Sequence, residues 1–99
     1  MVRVVIERHL KAGKEKELMP LLRELRAAAM HQPGYITGET LASTEDSSVI
    51  TVISTWHNLE SWKAWGKSQA RVKLYRTIAT LLVEEPKVST YEVMATEKA

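Results

Sequence analysis

The three tryptophans of the chain all lie in one short segment, Thr55 to Trp65 (TWHNLESWKAW), in a sequence that contains no phenylalanine. Trp62 and Trp65 are one helical turn apart and share a face if the segment is helical. Flat aromatic side chains supply apolar area to a small core, and they can also stack on a planar ligand. We interpret Trp56 as a core residue. The segment leaves open whether the other two tryptophans form only the core or also a cavity wall.

A carboxylate and a phenol are the other candidates for chemistry. Glu7 lies in the middle of an apolar segment, on the same strand face as Val5. In a dry interior a carboxylate holds protons more tightly and can act as a general base near neutral pH. The alternative is a solvent-facing Glu7 next to Arg3 or Arg8. Tyr75 could donate a hydrogen bond to a substrate oxygen, although packing between helix and sheet is the commoner use of such a residue.

Two histidines raise the question of a metal site. His9 and His57 end the predicted first and third strands, which we expect to be adjacent and parallel, so both imidazoles would gather at one end of the sheet. No third ligand is evident beyond Glu7 or Glu15, and we therefore predict surface histidines and no metal. The absence of cysteine excludes disulfides and thiolate ligands.

The pattern of apolar residues predicts a definite order of elements. β-Branched alternation indicates a first strand over Val2 to His9, and leucines at helical spacing follow from Lys14 to the QPG turn. Two hairpin strands follow at Tyr35 to Ser43 and Val49 to Trp56. A helical region then extends from Asn58 to Pro86, with a break at Gly66 to Ser68, and a last strand is predicted at Val88 to Met94.

This order, β-α-β-β-α-β, predicts an α+β fold of the ferredoxin-like type, with an antiparallel sheet and helices on one face. The third strand is apolar on both faces, with Val49 and Ile53 on one side and Ile50, Val52 and Trp56 on the other. The open face of the sheet therefore needs a cover. We expect a homodimer in which two copies pack sheet to sheet.

Length and charge restrict the function. A chain of 99 residues suits one domain, which we place at residues 1–95 with a frayed tail at 96–99. Its 14 basic and 12 acidic residues are interspersed, which gives no reason to expect nucleic-acid binding. No apolar run is long enough for a membrane span, and the charged amino-terminal segment is unlike a signal peptide, so we expect a cytoplasmic protein.

The segments KAGKEKEL, QPGYITGETL and above all VISTWHNLESWKAW, with Ser68 and Arg71 beyond, resemble the antibiotic biosynthesis monooxygenase family of dimeric α+β barrels. The resemblance covers nearly the whole chain and implies the fold more firmly than the reaction. The family includes cofactor-free monooxygenases of aromatic polyketides or quinols, haem-degrading enzymes, an isomerase of a sugar phosphate and members without an assigned activity. Within it, Trp65 is expected to form a cavity wall.

The haem-degrading branch fits the sequence poorly. The resemblance implies an Asn in the first strand, a Trp in the Lys-Ala-Trp segment and a haem-ligating His ten residues beyond that Trp. Here the Trp is Trp65, but Glu7 and Tyr75 occupy the other two positions. Glu7 offers no hydrogen-bond donor unless it is protonated, whereas a tyrosine phenolate is a known iron ligand.

The resemblance therefore leads us to expect a cofactor-independent monooxygenase that acts on a small planar phenol, quinol or polyketide-like aromatic. Glu7 would be the base, Trp65 the stacking wall and Tyr75 a polar contact. The alternatives are a non-catalytic dimeric module that binds a small ligand and, less favoured, a haem protein.

Overall fold

The computed structural model describes residues 1–98 and contains four strands and three helices. In chain order they are β1 (Val2–His9), α1 (Glu15–Ala29), β2 (Tyr35–Ala42), β3 (Val49–Trp56), α2 (Leu59–Gly66), α3 (Gln69–Ala79) and β4 (Lys87–Glu92). The predicted fold class is confirmed, with the second helical region divided into α2 and α3. Residues 96–98 of the predicted tail have no regular secondary structure, and Ala99 lies outside the described residues.

The strands form one antiparallel sheet in the order β2-β3-β1-β4. The prediction that the first and third strands are parallel is wrong, because His9 pairs with Val49 and Val2 pairs with Trp56. His57, which follows Trp56, therefore lies at the opposite end of the sheet from His9. The two imidazoles cannot share a metal ion.

The inner face of β1, which packs under the helices, carries every second residue. Val2, Val4, Ile6 and Arg8 are buried on this face, while Glu7 alternates with them and is only half-buried. The arginine thus continues an otherwise apolar row.

The core consists of two groups of buried residues. One lies where α1 and the segment after α3 cover the end of the sheet, and includes Leu18, Leu22, Ile50, Ile78 and Leu82. The other lies under α2 and includes Val2, Val4, Ile6, Ala29, Trp56 and Trp65, with Trp62 and Tyr75 packed against it.

The helix boundaries follow local chemistry. The side chain of Asn58 accepts a hydrogen bond from the Ser61 backbone N–H at 2.9 Å and so caps α2, as predicted. The hydroxyl of Ser68 accepts one from the Arg71 N–H at 3.2 Å and starts α3 after the break. Pro20 lies within α1, which continues through it.

The face of the sheet opposite the helices is open. It carries Val5, Val49 and Ile53, which are half-buried, and the exposed residues Leu41 and Tyr91. None of the helices formed by residues 1–98 combines the length and the apolar character that crossing a lipid bilayer requires.

Candidate active site

A cavity of about 60 Å³ lies between the inner face of the sheet and the helices. It opens beside β2, the edge strand. Its aromatic lining consists of Tyr35, Trp56, Trp62, Trp65 and Tyr75. Aliphatic residues of α1 and of the central strands complete most of the remaining wall, so the cavity is mainly apolar.

Trp56 is the centre of the aromatic cluster. Its ring contacts Tyr35 edge to face at 5.3 Å between centroids and Trp62 at 5.9 Å, and it stacks on Trp65 at 6.4 Å. Trp56 is 1% exposed, and its indole N–H donates to the Ser54 hydroxyl at 3.1 Å. The tryptophan segment therefore forms both core and cavity wall.

Trp65 and Tyr75, two of the three residues predicted for the site, both line this cavity. Trp65 is 3% exposed and belongs to the wall from α2, whereas Tyr75 reaches the cavity from α3. The Tyr75 hydroxyl is buried and has no hydrogen-bond partner among residues 1–98. It is thus available to a bound molecule.

Arg8 is the polar residue that sequence reasoning missed. It is 0% exposed and lines the cavity from β1, and its Nε, Nη1 and Nη2 atoms form no hydrogen bond within the described chain. Each ion pair formed by residues 1–98 involves other groups. The signal was present in the sequence, since Arg8 follows Val2, Val4 and Ile6 at a spacing of two.

The main contact of Arg8 is with an aromatic ring. Its guanidinium carbon lies 5.1 Å from the centroid of Tyr75, and that of Arg71 lies 3.9 Å from the same centroid. Arg71 also contacts the ring of Trp62 at 5.1 Å. Two guanidinium groups therefore contact one phenol ring at the cavity.

Burial lowers the pKa of the Arg8 guanidinium, and the positive charge of Arg71 lowers it further, while Tyr75 raises it. An arginine keeps its proton in proteins despite such shifts. A cation–π contact is worth up to about 2 kcal/mol, whereas removing a cation from water costs several kcal/mol even after relaxation. The ring does not offset the cost of burying Arg8.

Glu7 lies on the open face of the sheet and does not line this cavity. Its carboxylate is 3.3 Å from Nε2 of His9, whose Nδ1 is 3.9 Å from Glu84. The sheet separates Glu7 from Trp65 and Tyr75, so the structure does not bring the three predicted site residues together. Among residues 1–98 no three His, Cys, Asp or Glu side chains are grouped closely enough to hold a metal ion.

The sequence model described as Antibiotic biosynthesis monooxygenase matches residues 1–92. The chain belongs to the antibiotic biosynthesis monooxygenase family. No curated protein sequence matches it significantly.

Solved structures of this family and of similar proteins share the fold. SnoaB from Streptomyces nogalater, a cofactor-independent oxygenase, is 13% identical with a TM-score of 0.83, over 96% of this chain and 95% of that one. A conserved protein from Methanosarcina mazei is 21% identical with a TM-score of 0.87, over 91% and 89% of the two chains. Rv0793 from Mycobacterium tuberculosis is 11% identical with a TM-score of 0.87, over 98% of both.

Membership of the antibiotic biosynthesis monooxygenase family accounts for the architecture. At these identities the solved structures establish the fold alone. The residues that line the cavity determine which reaction the chain can support.

Proposed function

We propose that this protein is a cofactor-independent monooxygenase that uses dioxygen to oxidise a small planar phenol or quinol. The observation that carries the proposal is a guanidinium, that of Arg8, buried without a hydrogen-bond partner at a cavity walled by tryptophan and tyrosine. The aromatic walls suit a flat ring, and the cation suits the anion that such a ring forms on losing a proton.

Deprotonation begins the proposed reaction. The phenolate formed in the cavity is stabilised by Arg8, so the phenol binds as its anion and its proton passes to solvent at the cavity mouth. Glu7 takes no part in this step, because the sheet lies between Glu7 and the cavity. The Tyr75 hydroxyl donates a hydrogen bond to the substrate oxygen.

The phenolate then transfers one electron to dioxygen, which gives a phenoxyl radical and superoxide. These combine at a ring carbon, and the resulting peroxide takes up a proton. The hydrogen on that carbon leaves as a proton while the O–O bond breaks and hydroxide leaves. One phenol and one dioxygen thus yield one quinone and one water.

Trp65 and its neighbours hold the ring and keep water from the radical pair. A dry cavity strengthens the electrostatic interaction of Arg8 with both the phenolate and the superoxide. The chain therefore supplies position, charge and exclusion of water, and the substrate supplies the electrons.

We propose that the active form is a homodimer. The half-buried Val5, Val49 and Ile53 and the exposed Tyr91 provide an apolar surface on the open face of the sheet, which suits sheet-to-sheet packing of a second copy. Light scattering of Ile53→Asp, compared with the wild type, tests this arrangement.

A non-catalytic module that binds a small ligand is the second candidate. It is favoured by the cavity lining, which includes no buried carboxylate among residues 1–98. Glu39 is exposed, and its pairing with Ile53 places its side chain on the open face of the sheet. Haem degradation finds less support, because Glu7 occupies the expected Asn position yet faces away from Trp65 and Tyr75. The cavity is also small for a porphyrin.

Oxygen uptake tests the proposal. Metal-free protein is mixed with a panel of quinols, anthrones and polyphenols, and uptake is corrected for autoxidation. We expect uptake that falls at least about tenfold in Trp65→Leu and Tyr75→Phe, because both lose a contact with the substrate.

Arg76→Met is the control, since Arg76 is exposed on α3 and lines neither the cavity nor the open face of the sheet. Circular dichroism establishes that each variant is folded. Uptake that is equal in all variants would contradict the proposed site, and no protein-dependent uptake would favour the binding module.

A further inference from the structure

We infer that Arg8 is a receptor for a carboxylate, and that the substrate is a phenol or quinol that bears this carboxylate. The inference rests on the proposed function for the chemistry at the ring. The binding that it describes is independent of turnover.

The guanidinium of Arg8 lacks hydrogen-bond acceptors. Nε, Nη1 and Nη2 are all buried and form no hydrogen bond of standard geometry within residues 1–98. The Tyr75 phenol lies close enough to raise the pKa of the guanidinium, but most of its five N–H groups go unused by the chain. A phenolate presents one oxygen to these donors. A carboxylate presents two in one plane, which matches the fork of an arginine side chain and binds it through two parallel hydrogen bonds.

The site carries an excess of positive charge. Arg8 and Arg71 both contact the Tyr75 ring, and neither forms an ion pair within the described chain. Nε of Arg71 is buried without a partner as well. A carboxylate ligand neutralises part of this excess positive charge at any pH above the pKa of its carboxyl group. A neutral quinol does so only after it loses a proton.

The lining of the cavity also suits such a ligand. The tryptophan walls favour a flat aromatic ring. The buried Tyr75 hydroxyl provides a further hydrogen bond beside the guanidinium. Arg26, which is exposed at the rim, attracts anions toward the mouth.

The carboxylate also explains how the ring is oriented for reaction. With the acid group at Arg8, the ring extends along the tryptophan wall, and a hydroxyl group ortho to the acid stays beside the same guanidinium that stabilises its phenolate. A neutral amide of the same shape lacks the charge and one of the two acceptors. The structure therefore predicts discrimination between two compounds that differ only in that group.

Binding under anaerobic conditions tests the inference without turnover. The probes are 2,5-dihydroxybenzoate and 2,5-dihydroxybenzamide, titrated calorimetrically into the wild-type protein at constant ionic strength. We expect the acid to bind at least about tenfold more tightly than the amide, as the loss of one charged hydrogen-bonded pair implies. Equal affinities, tighter binding of the amide or binding of neither compound would overturn the inference.

Variants of Arg8 assign the preference to one side chain. Arg8→Met should abolish it, while Arg8→Lys should retain only part, because lysine keeps the charge but lacks the planar fork. Arg76→Met removes an exposed arginine of α3 and serves as the matched control, with the preference unchanged. A preference that persists in a folded Arg8→Met protein would overturn the assignment, and the wild-type comparison stands if that variant fails to fold.

The two proposals fail separately. If the acid is preferred but no oxygen is consumed, the oxygenase proposal fails and the carboxylate receptor remains. If neutral quinols are oxidised and the acid has no advantage, the carboxylate receptor fails and the oxygenase remains.

Discussion

The guanidinium of Arg71 lies 3.9 Å from the centre of the Tyr75 ring, which is the shortest of the three arginine–aromatic contacts at the cavity. Nη1 of Arg71 also donates to the Gly66 carbonyl at 3.4 Å. Arg71 therefore connects the end of α2 to α3 and packs against the ring of Tyr75. It fixes the broken helix above the cavity.

Replacement of Arg71 should loosen this arrangement. We expect Arg71→Met to lower the free energy of unfolding by about 0.5–2 kcal/mol, because two partly buried cation–π contacts are lost. Urea denaturation measures the change. Arg76→Met, on the exposed side of α3, is the control and should change stability by less than about 0.5 kcal/mol. An equal effect of both substitutions would contradict a specific role for Arg71.

Glu7→Gln tests whether the predicted base acts in the cavity. Because Glu7 lies on the other face of the sheet from Trp65 and Tyr75, we expect oxygen uptake within about twofold of the wild type on any active substrate. A loss of tenfold or more, with the dimer intact by light scattering, would show that the carboxylate takes part in catalysis after all.

Gly34 and Gly13 form a matched pair for backbone strain. Both have positive φ, at 87° and 76°, but a Cβ on Gly34 would collide with the Ser61 side chain, whereas one on Gly13 would meet open space. We expect Gly13→Ala to cost about 1–2 kcal/mol, from the left-handed backbone alone. Gly34→Ala should cost about 2–4 kcal/mol, because overpacking adds to the strain. Chemical denaturation of the two variants tests the order, and equal costs would contradict it.

Asp46 gives the hairpin between β2 and β3 a dependence on pH. Hydrogen bonds from the Ser48 hydroxyl at 2.6 Å and the Ser48 backbone N–H at 3.0 Å lower the pKa of the Asp46 carboxyl. Because the pKa is lower in the folded state, the contribution is present above the unfolded value of about 4 and is lost as pH falls through the folded value. NMR titration should show a higher Asp46 pKa in Ser48→Ala. An unchanged pKa would show that the hydrogen bond from the Ser48 hydroxyl does not form in solution.

The regular elements were largely predictable because their signals are local. The alternation of β-branched residues fixed β1 and β3 at Val2–His9 and Val49–Trp56, and the slip in helical spacing at Gly66 located the break before α3. Pairing direction is not a local property. The first and third strands were therefore predicted to be parallel, and His9 and His57 were brought together incorrectly.

The site was only partly predictable for a related reason. The residues alone favoured core packing for Trp65 and Tyr75, because large flat side chains serve both cores and cavities. The resemblance to the family raised Trp65 as a cavity wall. Alternation also put Arg8 on the same face as Ile6, but a charged side chain is expected at the surface, and an interior position follows only from the packed structure. The same alternation places Glu7 on the open face of the sheet, away from the cavity.

The thermal stability of Arg8→Met without ligand shows directly whether Arg8 is retained to bind a ligand. If Arg8 is kept for a ligand and not for the fold, an apolar side chain of similar length removes a buried charge whose desolvation is unfavourable, and the substitution should be neutral or stabilising. We predict a melting temperature equal to or several degrees above that of the wild type, together with loss of carboxylate binding. A clear fall in melting temperature would show that Arg8 stabilises the fold and would contradict the account.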